Sequence, residues 1–167
     1  MTSPTLEQIH RVPAVLTRQV GDEDIDLNHH MNAAIVFARQ VEGIREAFSR
    51  AGVTENYVNT RAMGTFVVEH HIRYLKELRH GDAYSVRVRF LERTEKAVHV
   101  VSCLVSEAAA AVANIVEGVV VHVDQRTRRP TAFPSDIAAE LDAQINAGDR
   151  SGWAHQPHLI MRGSTRA

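Results

Sequence analysis

The chain has 167 residues, a formal net charge of -1, 44% hydrophobic residues and 23% charged ones. This length predicts a single domain able to close its own core, and the near-zero charge excludes a general electrostatic pull toward nucleic acid. Cys103 is the only cysteine, which excludes an internal disulfide, and no apolar run approaches the length of a membrane span.

Residues 1–12 show little pattern and read as an arm. They lack a basic stretch followed by an apolar one, so no export signal is expected and a cytoplasmic location follows by default. AVLTRQV, 14–20, alternates as a strand does. After DIDLNHHMN, 24–32, comes a helical pattern: Ile35, Val36, Val41, Ile44, Ala47 and Phe48 recur at three- and four-residue steps. Asn32 is placed to cap this helix and Gly52 to end it. Gly43, in its middle, costs about 1 kcal/mol relative to Ala, which points to close packing at that position.

From residue 63 the β-branched and aromatic content rises. MGTFVVEHHIRYLKEL, AYSVRVRFLER, KAVHVVSCLVSE and AVANIVEGVVVHVD read as four strands, with HGD, 80–82, as a turn between the first two. Arg87 and Arg89 alternate with apolar residues and predict a solvated sheet face. Cys103 lies in an apolar run and predicts a buried small hydrophobe. Pro130 and Pro134 oppose a strand through TRRPTAFP, and PSDIAAELDAQIN reads as a short helix. The domain is expected to span residues 1–146, with a polar, flexible tail over 147–167. One long helix among several long strands predicts an α+β domain in which a curved antiparallel sheet wraps the helix.

The chemistry concentrates in DIDLNHHMN. Asp24, Asp26, Asn28, His30 and Asn32 occupy every second position, which puts them on one side of an extended segment. A solvated edge strand would produce the same alternation, but Asn and Asp are poor strand formers and favour a shaped loop. The segment ends at a helix N-terminus, where free N–H groups and the positive dipole end suit a developing anion. A carboxylate, an amide and an imidazole beside such donors can run a hydrolysis, with the carboxylate as base on water or as nucleophile. Capping and loop hydrogen bonds are the structural alternative.

This run resembles the signature of hotdog-fold thioesterases. Acyl-ACP thioesterases carry D-x-D-x-N-x-H-V-N-N before their central helix, and 4-hydroxybenzoyl-CoA thioesterase-like hydrolases carry D-x-D-x-x-G-H-V-N-N. The likeness continues in RYLKELRHGDAYSVRVRFLER, 73–93, and VVVHVDQRTRRPTAFP, 119–134. The resemblance implies a hotdog fold, acyl-CoA as substrate, no cofactor and no metal, and a homodimer or homotetramer with sites at subunit interfaces. It implies Asp26 as the catalytic carboxylate, Asn28 as a group holding water or substrate, and His30 as the group orienting the loop or the carbonyl. Glu42 corresponds to a helix glutamate of both branches, and Asn32 to the first Asn of the run. Arg93 and Lys96 flank a turn that in this family often touches the nucleotide, and would meet the phosphates of coenzyme A.

The sequence departs from the pattern in four places. His29 stands where a glycine often precedes the histidine, Ala33 replaces the second Asn, Val36 or Phe37 the helix tyrosine, and Glu77 a proline. Two other readings stay open: an acyl-thioester binding module without catalysis, and a hotdog hydratase or dehydratase. Basic residues are not interleaved with aromatics, so no nucleic-acid partner is expected.

Overall fold

The computed structural model describes residues 5–153, 155–159 and 161. In chain order the elements are α1 (Leu6–His10), β1 (Ala14–Gln19), α2 (Ala33–Arg50), α3 (Glu55–Arg61), β2 (Met63–Tyr74), β3 (Ala83–Arg93), β4 (Ala97–Ser106), β5 (Ala111–Asp124), β6 (Arg129–Pro130) and α4 (Ser135–Arg150). The strands form one sheet in the order β1-β3-β4-β5-β2, every pairing antiparallel, with the two-residue β6 against β5. Hairpins generate the β3-β4-β5 centre, and β2 returns to the far edge beside β5.

The sheet curls around α2. Asn32 caps that helix as expected, its side chain accepting the Ala34 N–H at 2.8 Å, and Gly52 ends it at φ +94°. The buried stripe of α2, Val36, Ile44, Ala47 and Phe48, meets Val86, Phe90, Val98, Val100, Leu104, Val116 and Val120 on the inner sheet face. Gln40 is fully buried in that stripe. It accepts a hydrogen bond from the Ser102 hydroxyl and donates to Asn114 Oδ1 at 2.8 Å, while Asn114 donates to the Arg73 carbonyl at 2.9 Å. This satisfied polar chain ties the helix to β4, β5 and β2 and so fixes its height on the sheet.

Gly43 marks the close approach that its sequence position suggested. A Cβ there would lie 2.5 Å from Val86 Cγ1 and 3.3 Å from Val15 Cγ2. Overpacking of this kind costs about 1–3 kcal/mol, more than the helix propensity that alanine would add. Gly43→Ala is therefore expected to lower stability by about 1–2 kcal/mol in chemical denaturation.

The outer face of the sheet is covered where solvent was expected. The arm before β1 contains α1, closed by a capping box between Thr5 and Gln8, and its Ile9 is fully buried. Ile9 and Val12 pack with Leu91, Val101, Cys103, Val105 and Trp153. Arg87 donates to the carbonyl of Val12 at 2.5 Å, and Arg89 donates to the Trp153 carbonyl and the Asp149 carboxylate. The arginine stripe thus lies under α1, the last turn of α4 and the segment after it, where the terminal guanidinium nitrogens donate to carbonyls and one carboxylate.

The terminal helix runs to Arg150, four residues past residue 146. Trp153, Leu159 and Met161, in what reads as polar tail, are buried against the sheet. The few apolar residues of that stretch supply the adhesion.

Cys103 is buried, and burial pushes its thiol well above the usual range. It is expected to react with a disulfide reagent such as dithionitrobenzoate only at the rate of unfolding. Rapid stoichiometric labelling of the native protein would show that the outer layer opens.

Candidate active site

The chain between β1 and α2 doubles back on itself. A single 3-10 turn, Asp22–Asp24, leads into an antiparallel bridge between Ile25 and Met31. Across it the Asp26 N–H donates to the His30 carbonyl at 3.1 Å, and the His29 N–H donates to the Asp26 carbonyl at 3.0 Å. Leu27 and Asn28 form the tip. The polar residues are therefore gathered by a tight turn, not by the pleat of an extended strand.

His29 sits at φ +63°, in the left-handed region. A turn followed by one left-handed residue is a common hairpin closure, and glycine fills that position most readily. This accounts for the glycine of the related pattern. Histidine is among the non-glycine residues that tolerate the region.

Two backbone bonds hold the loop to the body. The Met31 N–H donates to the Leu78 carbonyl at 2.7 Å and the Asn32 N–H to the Asp24 carbonyl at 2.8 Å. Met31 is buried, and so is Asp24, whose carboxylate accepts the Gly21 N–H at 3.0 Å and the Arg39 guanidinium at 3.3 Å. Asp24 is a structural post.

Asp26 and His30 come together across the turn. His30 Nδ1 lies 3.7 Å from Asp26 Oδ1, and 3.3 Å from the Met31 carbonyl. Asp26 Oδ1 also accepts the Asn28 N–H at 2.8 Å, which shapes the tip and aims the carboxylate. The Asn28 side chain is exposed. Asn32 spends its side-chain oxygen on the helix cap.

The other candidates lie elsewhere. Glu42, farther along α2, is held by Arg18 at 2.5 Å and Arg39 at 3.4 Å. Arg93 makes a bidentate pair with Asp142 at 2.6 and 2.7 Å, joining β3 to α4. Lys96 is exposed at the β3–β4 turn. Among the described residues no hydrogen bond or ion pair joins Glu42, Arg93 or Lys96 to the Asp26 loop. Arg18 and Arg39 escaped the sequence reading. The spacing of Arg39 and Glu42 fits a helical pair, but the link from Glu42 to β1 is tertiary.

A cavity of about 730 Å³ opens between α2 and the two sheet edges. Leu16 of β1, Glu42 and Phe48 of α2, and Phe66 and Val67 of β2 form part of its wall. Glu42 borders it; Asp26, Asn28 and His30 do not. Leu27, at the tip of the loop, is 97% exposed.

The model of the Thioesterase-like superfamily matches residues 20–141, from the end of β1 into α4. The chain belongs to that superfamily. A Staphylococcus aureus protein solved in complex with CoA shares this chain's fold with a TM-score of 0.77, 24% identity and coverage of 91% of each chain. A 1,4-dihydroxy-2-naphthoyl-CoA thioesterase from Synechocystis gives a TM-score of 0.68 at 13% identity, covering 76% of this chain and 93% of its own. At such identities the likeness is one of fold, and the fold of this thioesterase-like chain is the hotdog. In sequence, an L-carnitine dehydrogenase/betainyl-CoA thioesterase from Rhizobium sp is 26% identical over 136 residues, 80% of this chain. The chain spans only 27% of that relative's length. No helix among the described residues is long and apolar enough to cross a membrane.

Proposed function

We propose that this protein hydrolyses an acyl-CoA thioester to the free acid and coenzyme A. The observation that carries the reading is the hairpin that sets the Asp26 carboxylate beside His30 at the entrance to α2, within a chain of the Thioesterase-like superfamily. Asp26 takes a proton from water as the water oxygen attacks the thioester carbonyl carbon. The C–S bond then breaks and the departing sulfur leaves as the thiol, protonated from the site. Asn28 and His30 orient the water and the carbonyl. N–H groups of the first turn of α2 face the oxyanion, with the helix dipole in support. Asp26 attacking the carbonyl itself, through an anhydride, uses the same placement.

The site reads as half of a larger one. β2 is an edge strand, and Val67 and Val68 on it are 47% and 61% exposed. With Leu27 they leave apolar surface that a second copy would cover, giving a homodimer or homotetramer in which one copy's loop meets another's cavity. In this reading Glu42 stands at the cavity wall, and Lys96 and Arg93 meet the nucleotide phosphates, Arg93 by leaving Asp142. The setting is cytoplasmic.

The test is thiol release from a panel of short, aromatic and fatty acyl-CoAs, with betainyl-CoA added because of the rhizobial relative. Turnover of at least one member is expected. Release from none by folded protein, or loss of conjugation from an enoyl-CoA, would overturn the reading.

A further inference from the structure

On the outer sheet face, away from α2, four side chains form a row across four strands. Register places His71 of β2 opposite Glu117 of β5, and His99 of β4 opposite Glu92 of β3. His99 bridges the two carboxylates: its Nε2 lies 2.7 Å from Glu117 Oε1 and its Nδ1 3.5 Å from Glu92 Oε1. The segment after α4 closes over this row. His155 Nε2 lies 3.0 Å and His158 Nδ1 3.3 Å from Glu117 Oε2, and the N–H groups of His158 and Leu159 donate to the same carboxylate. The His71 and His158 rings stack at 4.3 Å.

Glu117 is 1% exposed, yet no lysine or arginine reaches it among the described residues. A buried carboxylate surrounded by imidazoles lacks a full compensating charge when those imidazoles are neutral. A divalent ion supplies one. Ligand atoms of His71, Glu117 and His158 all lie within 4.8 Å of one another. A tetrahedral zinc site with bonds near 2.0–2.1 Å spaces its ligands by about 3.3 Å, the separation already present between His158 and Glu117. His155 Nε2 lies beside them, 3.0 Å from the same carboxylate oxygen. His99, backed by Glu92, stands where an outer hydrogen bond would orient the ligating carboxylate.

We propose that His71, Glu117 and His158, with His155 adjacent, form a binding site for a divalent transition-metal ion of zinc type. The ion clasps the segment after α4 to β2 and β5. The sequence reading expected no metal; the members of this set come from two strands and the tail and have no compact spacing in the chain. The half-exposed His158 leaves an entry path and room for a water ligand.

The test titrates Zn²⁺ into chelator-stripped, tag-free protein against a chromophoric competitor, with Co²⁺ absorption as a reporter of geometry. One equivalent is expected to bind, with a tetrahedral-type Co²⁺ spectrum and a raised melting temperature. His71→Ala and His158→Ala are each expected to weaken binding at least tenfold, and His99→Gln by about 10- to 100-fold. His70→Ala, on the opposite sheet face, is expected to leave it unchanged. Absence of saturable binding, or one-equivalent binding that survives both His71→Ala and His158→Ala, would overturn the proposal. Thiol release is not the readout, so failure here is distinct from failure of the thioesterase reading.

Discussion

Asp26→Asn is expected to lower kcat/KM for acyl-CoA hydrolysis by about 10²- to 10⁴-fold, the range a positioned general base contributes. The fold should survive. Asp26 Oδ1 accepts the Asn28 N–H at 2.8 Å, and the Oδ1 of an asparagine can accept it equally. The pairing with His30 is long, at 3.7 Å, and the loop is held by backbone bonds that the change leaves alone. Stability should therefore shift by no more than about 0.5 kcal/mol. The loss must appear in kcat, because an amide keeps the shape of the carboxylate and cannot take a proton from water or attack the carbonyl. Wild-type turnover in the variant would remove Asp26 from the chemistry. A comparable loss accompanied by unfolding would be uninformative about chemistry, so denaturation curves of both proteins belong to the measurement.

The long helix, its cap, the close approach at Gly43 and the four long strands were legible in the sequence because local rules decide them. Period, an Asn before an apolar repeat, and alternation are properties of neighbours along the chain. The hairpin at Asp26 was half legible. The composition pointed to a loop beside a helix N-terminus, but alternation suggested one face of an extended segment, whereas the backbone folds at Leu27 and Asn28. The positive φ of His29 is what allows that fold, and no side-chain pattern announces it when the residue is not glycine.

What covers the outer face was not legible. Arg87 and Arg89 carry the pattern of a solvated strand, and only the tertiary return of the α1 arm, the last turn of α4 and the segment after it supplies the carbonyls and carboxylate that receive them. The same is true of Glu42. On a helical wheel it is a polar residue beside Arg39, and its bond to Arg18 depends on where β1 runs. Glu117 is the extreme case: an acid in the middle of the apolar strand AVANIVEGVVVHVD, which the fold buries under the tail.

Glu117→Gln is expected to destabilise the metal-free protein by about 3 kcal/mol, because removing one member of a buried charged cluster strands the others. For a chain of this size that is a fall in melting temperature of about 6–12 °C. Burial opposes the charge of Glu117, but hydrogen bonds from His155 and His99 and from the His158 and Leu159 N–H groups outweigh it and hold the carboxyl well below the usual carboxylate range. A glutamine keeps the volume, but it presents an NH₂ to a ring of donors and leaves at least one N–H unpaired. Because the native carboxyl titrates lower than the unfolded one, its contribution is complete above about pH 4.3 and is lost as the pH falls below that. The gap between wild type and variant should accordingly narrow in acid. Hydrogen exchange locates the damage. The amides of His158 and Leu159 should lose protection first, while those of Gln40 and Val36 in α2 keep theirs. A variant as stable as wild type, with those two amides still protected, would mean that the apolar contacts of Leu159 and Met161 hold the tail without the buried carboxylate.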